Sequence, residues 1–486
     1  MPLFAYPKSD GKRYPGAAMT ALVGRDAELR GLLDLLAADE RLLTLRGPVG
    51  VGKSALARAV AQAARESGLF EAIRNVDLST AISDEAMLDA VGQNSLDEQQ
   101  LLLVLDGADG VLTYLRHRAR SWLASAPELS LLVVAREPLD IDGERLVDLQ
   151  PLPPPESDLS GPAATLFLER ARRARPGYTP SAQEIPVVLE LLRELDGLPL
   201  SIEVTAPRLA VMGPAALLHR TRQSPLPEAL DRALDGAWQG LDGAERDALG
   251  CLSVFAGGFS SESAEAVLAA PGLDVVARLR QKSWLSAREL DLGDIRLSVS
   301  NSVRDFVRRR ADPLALASAR SRHALWFAAW ATDWAHSAQS LDRERKNLES
   351  VLESVLDSGP MTAQRAEPAL RVLVGLYAHS REPPPARYLA LLEPVLDRTR
   401  DSGADPRLLA EALLVSGTAR RHAGDAVRAL AQLTRALHVA RTLGATGLEC
   451  RALAELAESL GVAGEADAAR THAGAALDAA LRSDSR

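Results

Sequence analysis

Residues 42–54 read LLTLRGPVGVGKS, a short apolar run passing into a loop that holds Gly47, Gly50 and Gly52 and ends on Lys53 and Ser54. The residues that follow, ALARAVAQAA at 55–64, are rich in strong helix formers. This is the GxxxxGK[ST] pattern in its strand–loop–helix setting, and it decides the reading of the first third of the chain. Successive backbone N–H groups must turn inward around phosphate oxygens, and glycine permits both the dihedrals and the close approach. The helix adds the partial positive charge of its N-terminus, Lys53 supplies a point charge to the outer phosphates, and Ser54 offers a hydroxyl to Mg²⁺. The candidate phosphate-binding residues are therefore Gly47, Pro48, Val49, Gly50, Val51, Gly52, Lys53, Ser54 and Ala55.

Two more segments suit the same sheet. In LLLVLDGAD at 101–109, five consecutive apolar residues fit a strand covered on both faces. Asp106 then falls at the carboxyl edge, where open α/β sheets bind ligands, and becomes the Mg²⁺-orienting candidate beside Ser54. The plainer alternative is an aspartate capping a turn. Residue 107 is glycine, so no carboxylate follows directly; Asp109 is the candidate for polarising a water, and slow hydrolysis is expected. A third run, LSLLVVAREPL at 129–139, ends in Arg136, which reads either as a γ-phosphate contact from a neighbouring strand or as a surface arginine in a turn. The catalytic candidates are thus Lys53, Asp106, Asp109 and Arg136, with ATP or ADP and Mg²⁺ as the implied ligands.

Composition sets the wider frame. At about 150 residues per domain, 486 residues suggest three or four domains. Hydrophobic residues at 47% and charged residues at 25% are the balance of a globular chain. The opening MPLFAYPKSDGKRYPG has no continuous apolar core, and no later apolar run approaches membrane-spanning length. The expectation is a cytoplasmic protein, neither secreted nor membrane-spanning. Cys251 and Cys450 stand far apart outside any CxxC or Cys/His cluster, which argues against a disulfide scaffold or a zinc site. A net charge of −9 argues against a chain-wide nucleic-acid footprint. Lysine is confined to Lys8, Lys12, Lys53, Lys282 and Lys346, so a lysine inside the glycine-rich loop is informative.

Taken together these segments resemble the STAND class of signal-transduction ATPases, related to NB-ARC domains, and especially the ATPase modules of bacterial LuxR-type and SARP-type regulators. The resemblance spans roughly residues 20–350. LVGRDAEL at 22–29 is similar to the family's adenine-side motif, which implies that backbone near Val23 holds the base while Gly24, Arg25 and Glu28 shape the mouth of the site. LLLVLDGAD resembles its second phosphate motif, usually written with asparagine where Gly107 stands, and VVAREPLDIDGERLVDLQPLP resembles its sensor segment, which favours Arg136 as the γ-phosphate sensor. LDGLPLSIEVTA at 195–206 is similar to the GLPL motif, which implies that Pro199 lies against the nucleotide; a helix broken by Gly197 and Pro199 is the bland reading of the same stretch. LDGAERDALGCLSVFAGGFSSESAEAV at 241–267 and SVSNSVRDFVRRR at 298–310 resemble the start and end of a winged-helix domain. Related proteins carry histidine or glutamate near Asn301, where it stabilises the closed, nucleotide-bound form; asparagine brings hydrogen bonds but no charge.

From about residue 313 the chain is rich in alanine, leucine and arginine and reads as helices. Ala412, Leu413, Gly424, Ala426, Ala429, Ala436, Leu437 and Ala440 recur 40 residues later as Ala452, Leu453, Gly464, Ala466, Ala469, Ala476, Leu477 and Ala480. This resembles a tetratricopeptide array, whose concave face takes peptides or partner proteins; a helical bundle that only covers the ATPase is the alternative. The expected architecture is an α/β P-loop domain with a parallel sheet at 20–155 after an extension at 1–19, a helical lid at 156–235, a winged-helix domain at 236–312 and an all-α repeat domain at 313–486. The expected function is an ATP/ADP switch with slow hydrolysis, coupled to a protein or peptide partner at the repeats and to self-association in the ATP state. Two other readings stand beside it: a DNA-binding regulator using the winged helix and the cluster Arg304, Arg308, Arg309 and Arg310, and a scaffold whose nucleotide is structural. Charge runs are more often solvated helix faces, and no recognisable effector appears at either end, so nucleic acid and membrane are not the expected partners.

Overall fold

Continuous apolar runs put buried side chains on both faces of a parallel sheet, and helices cover both. The protein is described by a computed structural model covering residues 22–92, 100–223, 228–268, 272–290, 294–333, 338–356, 359–378 and 386–484; the extension at 1–19 lies outside these residues. The strands are β1 (Leu42–Arg46), β2 (Ala72–Asp77), β3 (Leu101–Asp106), β4 (Leu129–Val134) and β5 (Glu144–Asp148), in the order β2-β3-β4-β1-β5 with every neighbouring pair parallel. Four helices pack on the sheet: α1 (Asp26–Ala37), α2 (Lys53–Ser67), α3 (Asp84–Val91) and α4 (Leu112–Ser125). Leu101, Leu103 and Leu105 of β3 join Met87 of α3 and Leu115 of α4 in one core, while Leu102 and Val104 join Leu32 of α1 and Leu56 of α2 in the other. Each such leucine, fully withdrawn from water, contributes about 1.5–3 kcal/mol. The five-residue apolar run is therefore a strand buried on both faces.

Strand order has a consequence at the carboxyl edge. Leu45 of β1 lies opposite both Val134 of β4 and Val147 of β5, and Leu105 of β3 lies opposite Val133 of β4. The ends of β1, β4 and β3 are thereby neighbours, which brings the glycine-rich loop, Arg136 and Asp106 to one edge of the sheet.

After the sheet come α5 (Pro162–Ala174), α6 (Ile185–Glu194), α7 (Pro199–Thr205) and α8 (Pro214–Gln223), which share a core containing Phe167, Leu191, Ile202 and Leu217. The chain continues through α9 (Glu228–Gln239), α10 (Gly243–Leu252), α11 (Ser261–Leu268), α12 (Gly272–Gln281), β6 (Ser286–Glu289), β7 (Ile295–Ser298) and α13 (Asn301–Arg308). The rest of the described chain is helical: α14 (Pro313–Ala331), α15 (Ala338–Ser354), α16 (Ala363–Ala378), α17 (Ala386–Thr399), α18 (Pro406–His422), α19 (Ala426–Thr442), α20 (Thr446–Val462) and α21 (Ala466–Asp484). The architecture is a P-loop α/β domain followed by a helical solenoid.

The chain forms two compact units. One holds residues up to 249 with 273–288 and 299–311; the other holds 250–272, 289–298 and the chain from 312 onward. In the first, Trp238, Trp284 and Phe306 pack edge to face, with centroids 6.1 Å apart for the tryptophans and 5.8 Å for Trp238 and Phe306. In the second, the fully buried Asn347 accepts the backbone N–H groups of Ala256 and Gly257 and donates to the carbonyl of Gly258, so its amide is satisfied.

The 40-residue period has a plain structural meaning, because α18 and α19 are repeated as α20 and α21. Ala412, Leu413, Ala429, Ala436 and Ala440 are buried, as are Ala452 and Leu453 one period later. Small side chains let backbones approach. On α16, a Cβ built at Gly375 would lie 2.2 Å from the carbonyl oxygen of Ala331 on α14, so nothing larger than hydrogen fits without moving backbone. Gly375→Ala should therefore cost about 1–3 kcal/mol, read as a lower denaturation midpoint of the full chain in urea; an unchanged midpoint would mean that these helices are not so closely apposed.

Candidate nucleotide-binding site

The loop after β1 is held from two sides. Gly50 adopts φ +79°, and a Cβ there would fall 2.9 Å from Leu200 Cβ, so glycine is required both for the turn and for the approach of α7. The backbone N–H of Leu200 donates to Gly50 O at 3.1 Å, and Pro199 opens α7 with its Cγ 3.9 Å from the position a Cβ would take at Gly52. Pro199 is thus against the loop, at a helix start where its missing N–H costs nothing. From the other side, the buried Arg25 donates to Val51 O at 3.2 Å and Gln150 O at 2.7 Å and pairs with Glu28 at 2.7 Å. Its guanidinium is spent on protein groups, so its part is to support the loop rather than to meet a ligand. Gly24 has a packing reason as well: a Cβ there would sit 2.1 Å from Pro162 Cβ at the start of α5. Val23, half-buried, packs on the core shared by α5 to α8.

Inside the loop, Lys53 is the first residue of α2, and its half-buried ammonium donates to Gly47 O at 2.7 Å and Pro48 O at 3.1 Å. No carboxylate pairs with it among the described residues. The first turn of α2, opening after Gly52, has no side-chain cap, which leaves its amides for an acceptor. The next residue, Ser54, donates its hydroxyl to Asp106 Oδ1 at 2.8 Å across from β3. These residues fit a nucleotide with its ion. The ammonium and the uncapped amides form a cradle for phosphate oxygens, and Ser54 with Asp106 is the oxygen-only pair that suits Mg²⁺, an ion that commonly takes one or two protein ligands and completes its shell with phosphate and water. Among the described residues no cluster of three or more histidine, cysteine, aspartate or glutamate groups could hold a metal alone. Gly107, beside Asp106, has φ +71°, a left-handed conformation that glycine and asparagine tolerate, which accounts for glycine in place of asparagine.

Asp109 stands against Arg136: its Oδ1 accepts the backbone N–H of Arg136 at 2.7 Å and its Oδ2 pairs with Arg136 Nε at 3.0 Å. The carboxylate positions the arginine. Ser283, at φ +59°, adds a hydroxyl to Arg136 O at 3.1 Å.

Asn301 does not reach the loop. Its amide donates to Glu194 O at 3.1 Å, and its backbone N–H donates to Asp196, which stands at the N-terminus of α13. Burial raises the Asp196 carboxyl to about 7, against the pull of the Asn301 and Ser302 amides and Arg304. Asp196 was not singled out in the sequence, where Asp-Gly before GLPL signals only a turn. The basic cluster is ion-paired at the surface: Arg309 pairs with Asp231 at 2.7 Å, Arg310 pairs with Asp235 at 3.1 Å and lies 3.7 Å over the Phe306 ring.

Residues 21–317, more than half of the chain, match the family described as AAA ATPase domain. The chain belongs to this ATPase family. Uncharacterized proteins of Mycobacterium tuberculosis and Mycobacterium bovis are 34% identical to the ATPase over 280 residues, covering 51% of this chain and 69% of theirs. A second M. tuberculosis protein, provisionally named an HTH-type transcriptional regulator, is 28% identical over 357 residues, covering 66% of this chain and 39% of its own. A solved STAND protein with a tetratricopeptide repeat sensor from Pyrococcus horikoshii aligns over 93% of this chain and 82% of its own at 14% identity, with a TM-score of 0.22. No helix among the described residues is long and apolar enough to cross a membrane.

Burial pushes the Lys53 ammonium down to about 8; Arg136 pushes the same way, and Asp109 and Asp106 oppose. A bound polyphosphate favours the charged form, so binding takes up a proton once the pH exceeds the free-state value. Nucleotide affinity of the ATPase should fall by up to about tenfold per pH unit above about pH 8. Calorimetry in buffers of different ionisation enthalpy checks the uptake; Lys53→Arg, which keeps its charge, should show a flat profile, and a flat wild-type profile would contradict the assignment.

Proposed function

We propose that this ATPase is a STAND-type switch: it binds ADP and ATP with Mg²⁺ in the loop 47–55, hydrolyses ATP slowly, and changes its arrangement when a protein or peptide binds the helical repeats. The observation that carries the reading is the convergence at one sheet edge of Lys53, the Ser54–Asp106 pair at 2.8 Å, and Arg136 fixed by Asp109 at 3.0 Å. Lys53 and the loop amides hold the phosphates common to both nucleotides. When Mg²⁺ is bound it neutralises phosphate charge, with Ser54 and Asp106 as its protein ligands. Arg136 is the group that distinguishes ATP from ADP, because it stands at the end of β4 between the loop strand and the Asp106 strand. Asp109 is engaged by Arg136, which accords with slow turnover.

The switch requires differential binding. Moving an equilibrium from 1:99 to 99:1 takes about 5.5 kcal/mol, so contacts to the γ-phosphate must differ strongly between states. Self-association in the ATP state belongs to this proposal, as does a cytoplasmic location. A place in transcriptional control is the reading supported by the name of the 28%-identical relative; the effector would be reached through the repeats rather than through Arg309 and Arg310.

Equilibrium binding of fluorescent ADP and ATP analogues tests the roles. Lys53→Ala should weaken both nucleotides at least about tenfold, since charged hydrogen bonds are worth about 1.5–3 kcal/mol each. Arg136→Ala should weaken ATP by about tenfold and leave ADP unchanged. Equal losses for the two nucleotides in Arg136→Ala would remove it as the sensor.

A further inference from the structure

A second cationic cavity lies on the far side of α7 from the loop. Pro199 and Leu200 of that helix meet the glycine-rich loop, whereas Ser201 and Thr205 line a cavity of about 130 Å³ closed by α8, α9 and α13. Its lining includes no residue of loop 47–55. Four arginines, Arg208, Arg220, Arg222 and Arg304, line it with two carboxylates, Glu194 and Asp305. Two of those arginines are already committed: Arg222 pairs with Glu190 at 2.5 Å and Glu194 at 2.8 Å, and Arg304 contacts Asn301 Oδ1. The other two, Arg208 and Arg220, make no ion pair and no side-chain hydrogen bond among the described residues. Between the walls, Ser201 Oγ and Ser302 Oγ stand 3.4 Å apart.

We infer that this cavity binds a small phosphate-bearing anion. Arg208 and Arg220, without carboxylate partners, are the groups it would meet. Guanidinium forks match phosphate oxygens bidentately, and hydroxyls supply the remaining donors. The space, about 130 Å³, admits a phosphate group. Free phosphate and a short phosphate monoester share this chemistry.

The test uses the full chain carrying Lys53→Ala, so that the glycine-rich loop does not compete and the result does not depend on the nucleotide reading. Inorganic phosphate is titrated by calorimetry at constant ionic strength, with glycerol 3-phosphate as a second arm. Saturable 1:1 binding is expected; tighter glycerol 3-phosphate identifies a monoester, and tighter inorganic phosphate identifies the free ion. Adding Arg208→Gln and Arg220→Gln should weaken binding at least about tenfold. The Arg208→Lys/Arg220→Lys pair, keeping charge without the fork, should recover part of it, which separates lost recognition from lost folding. Absence of saturable binding to both anions, or an affinity unchanged by the glutamine pair, would overturn the inference.

Discussion

A half-buried ammonium with two carbonyl oxygens as its nearest partners is the interaction on which the rest of the ATPase turns. Lys53 donates to Gly47 O and Pro48 O within its own loop and meets no carboxylate there. Withdrawing a cation from water without a counter-charge is costly, and burial pushes its proton affinity down accordingly. An arriving polyphosphate replaces those carbonyls with oxygens of opposite charge. The free site is arranged for an anion, and the fold around it holds that arrangement.

Most of the surrounding structure serves to keep the loop where it is. The parallel order β3-β4-β1 sets Asp106, Arg136 and the loop side by side, and the two leucine-rich cores clamp the sheet from both faces. Arg25 ties the loop to the end of β5, and Leu200 ties it to α7. Asp109 fixes Arg136 through backbone and side chain together. An arginine held this way is pre-organised, so it loses little ordering entropy on meeting an anion.

Much of this was legible in the residues. The glycine spacing before Lys53 and Ser54, the apolar run before Asp106 and the one before Arg136 each announce a strand and what stands at its end, because a doubly buried strand has few other sequence forms. The 40-residue recurrence maps onto α18 to α21 because each repeat is one helical pair. What was not legible depends on long-range approach. Nothing local shows that Gly24 must clear Pro162, that Arg25 is spent on Val51 and Gln150, or that both oxygens of Asp109 belong to Arg136. Nor does any local pattern show that the run at 304–310 pairs with Asp231 and Asp235, some 75 residues away along the chain. Asp196 was hidden for the same reason, since its partner α13 begins 105 residues later.

The central claim is that the amides following β1, together with the Lys53 ammonium, grip the phosphates of an adenine nucleotide. Titration calorimetry of the well-folded full chain with ADP and Mg²⁺ measures it directly. Saturable binding of one nucleotide per chain is the predicted result, and the absence of any binding heat at several temperatures would contradict the account.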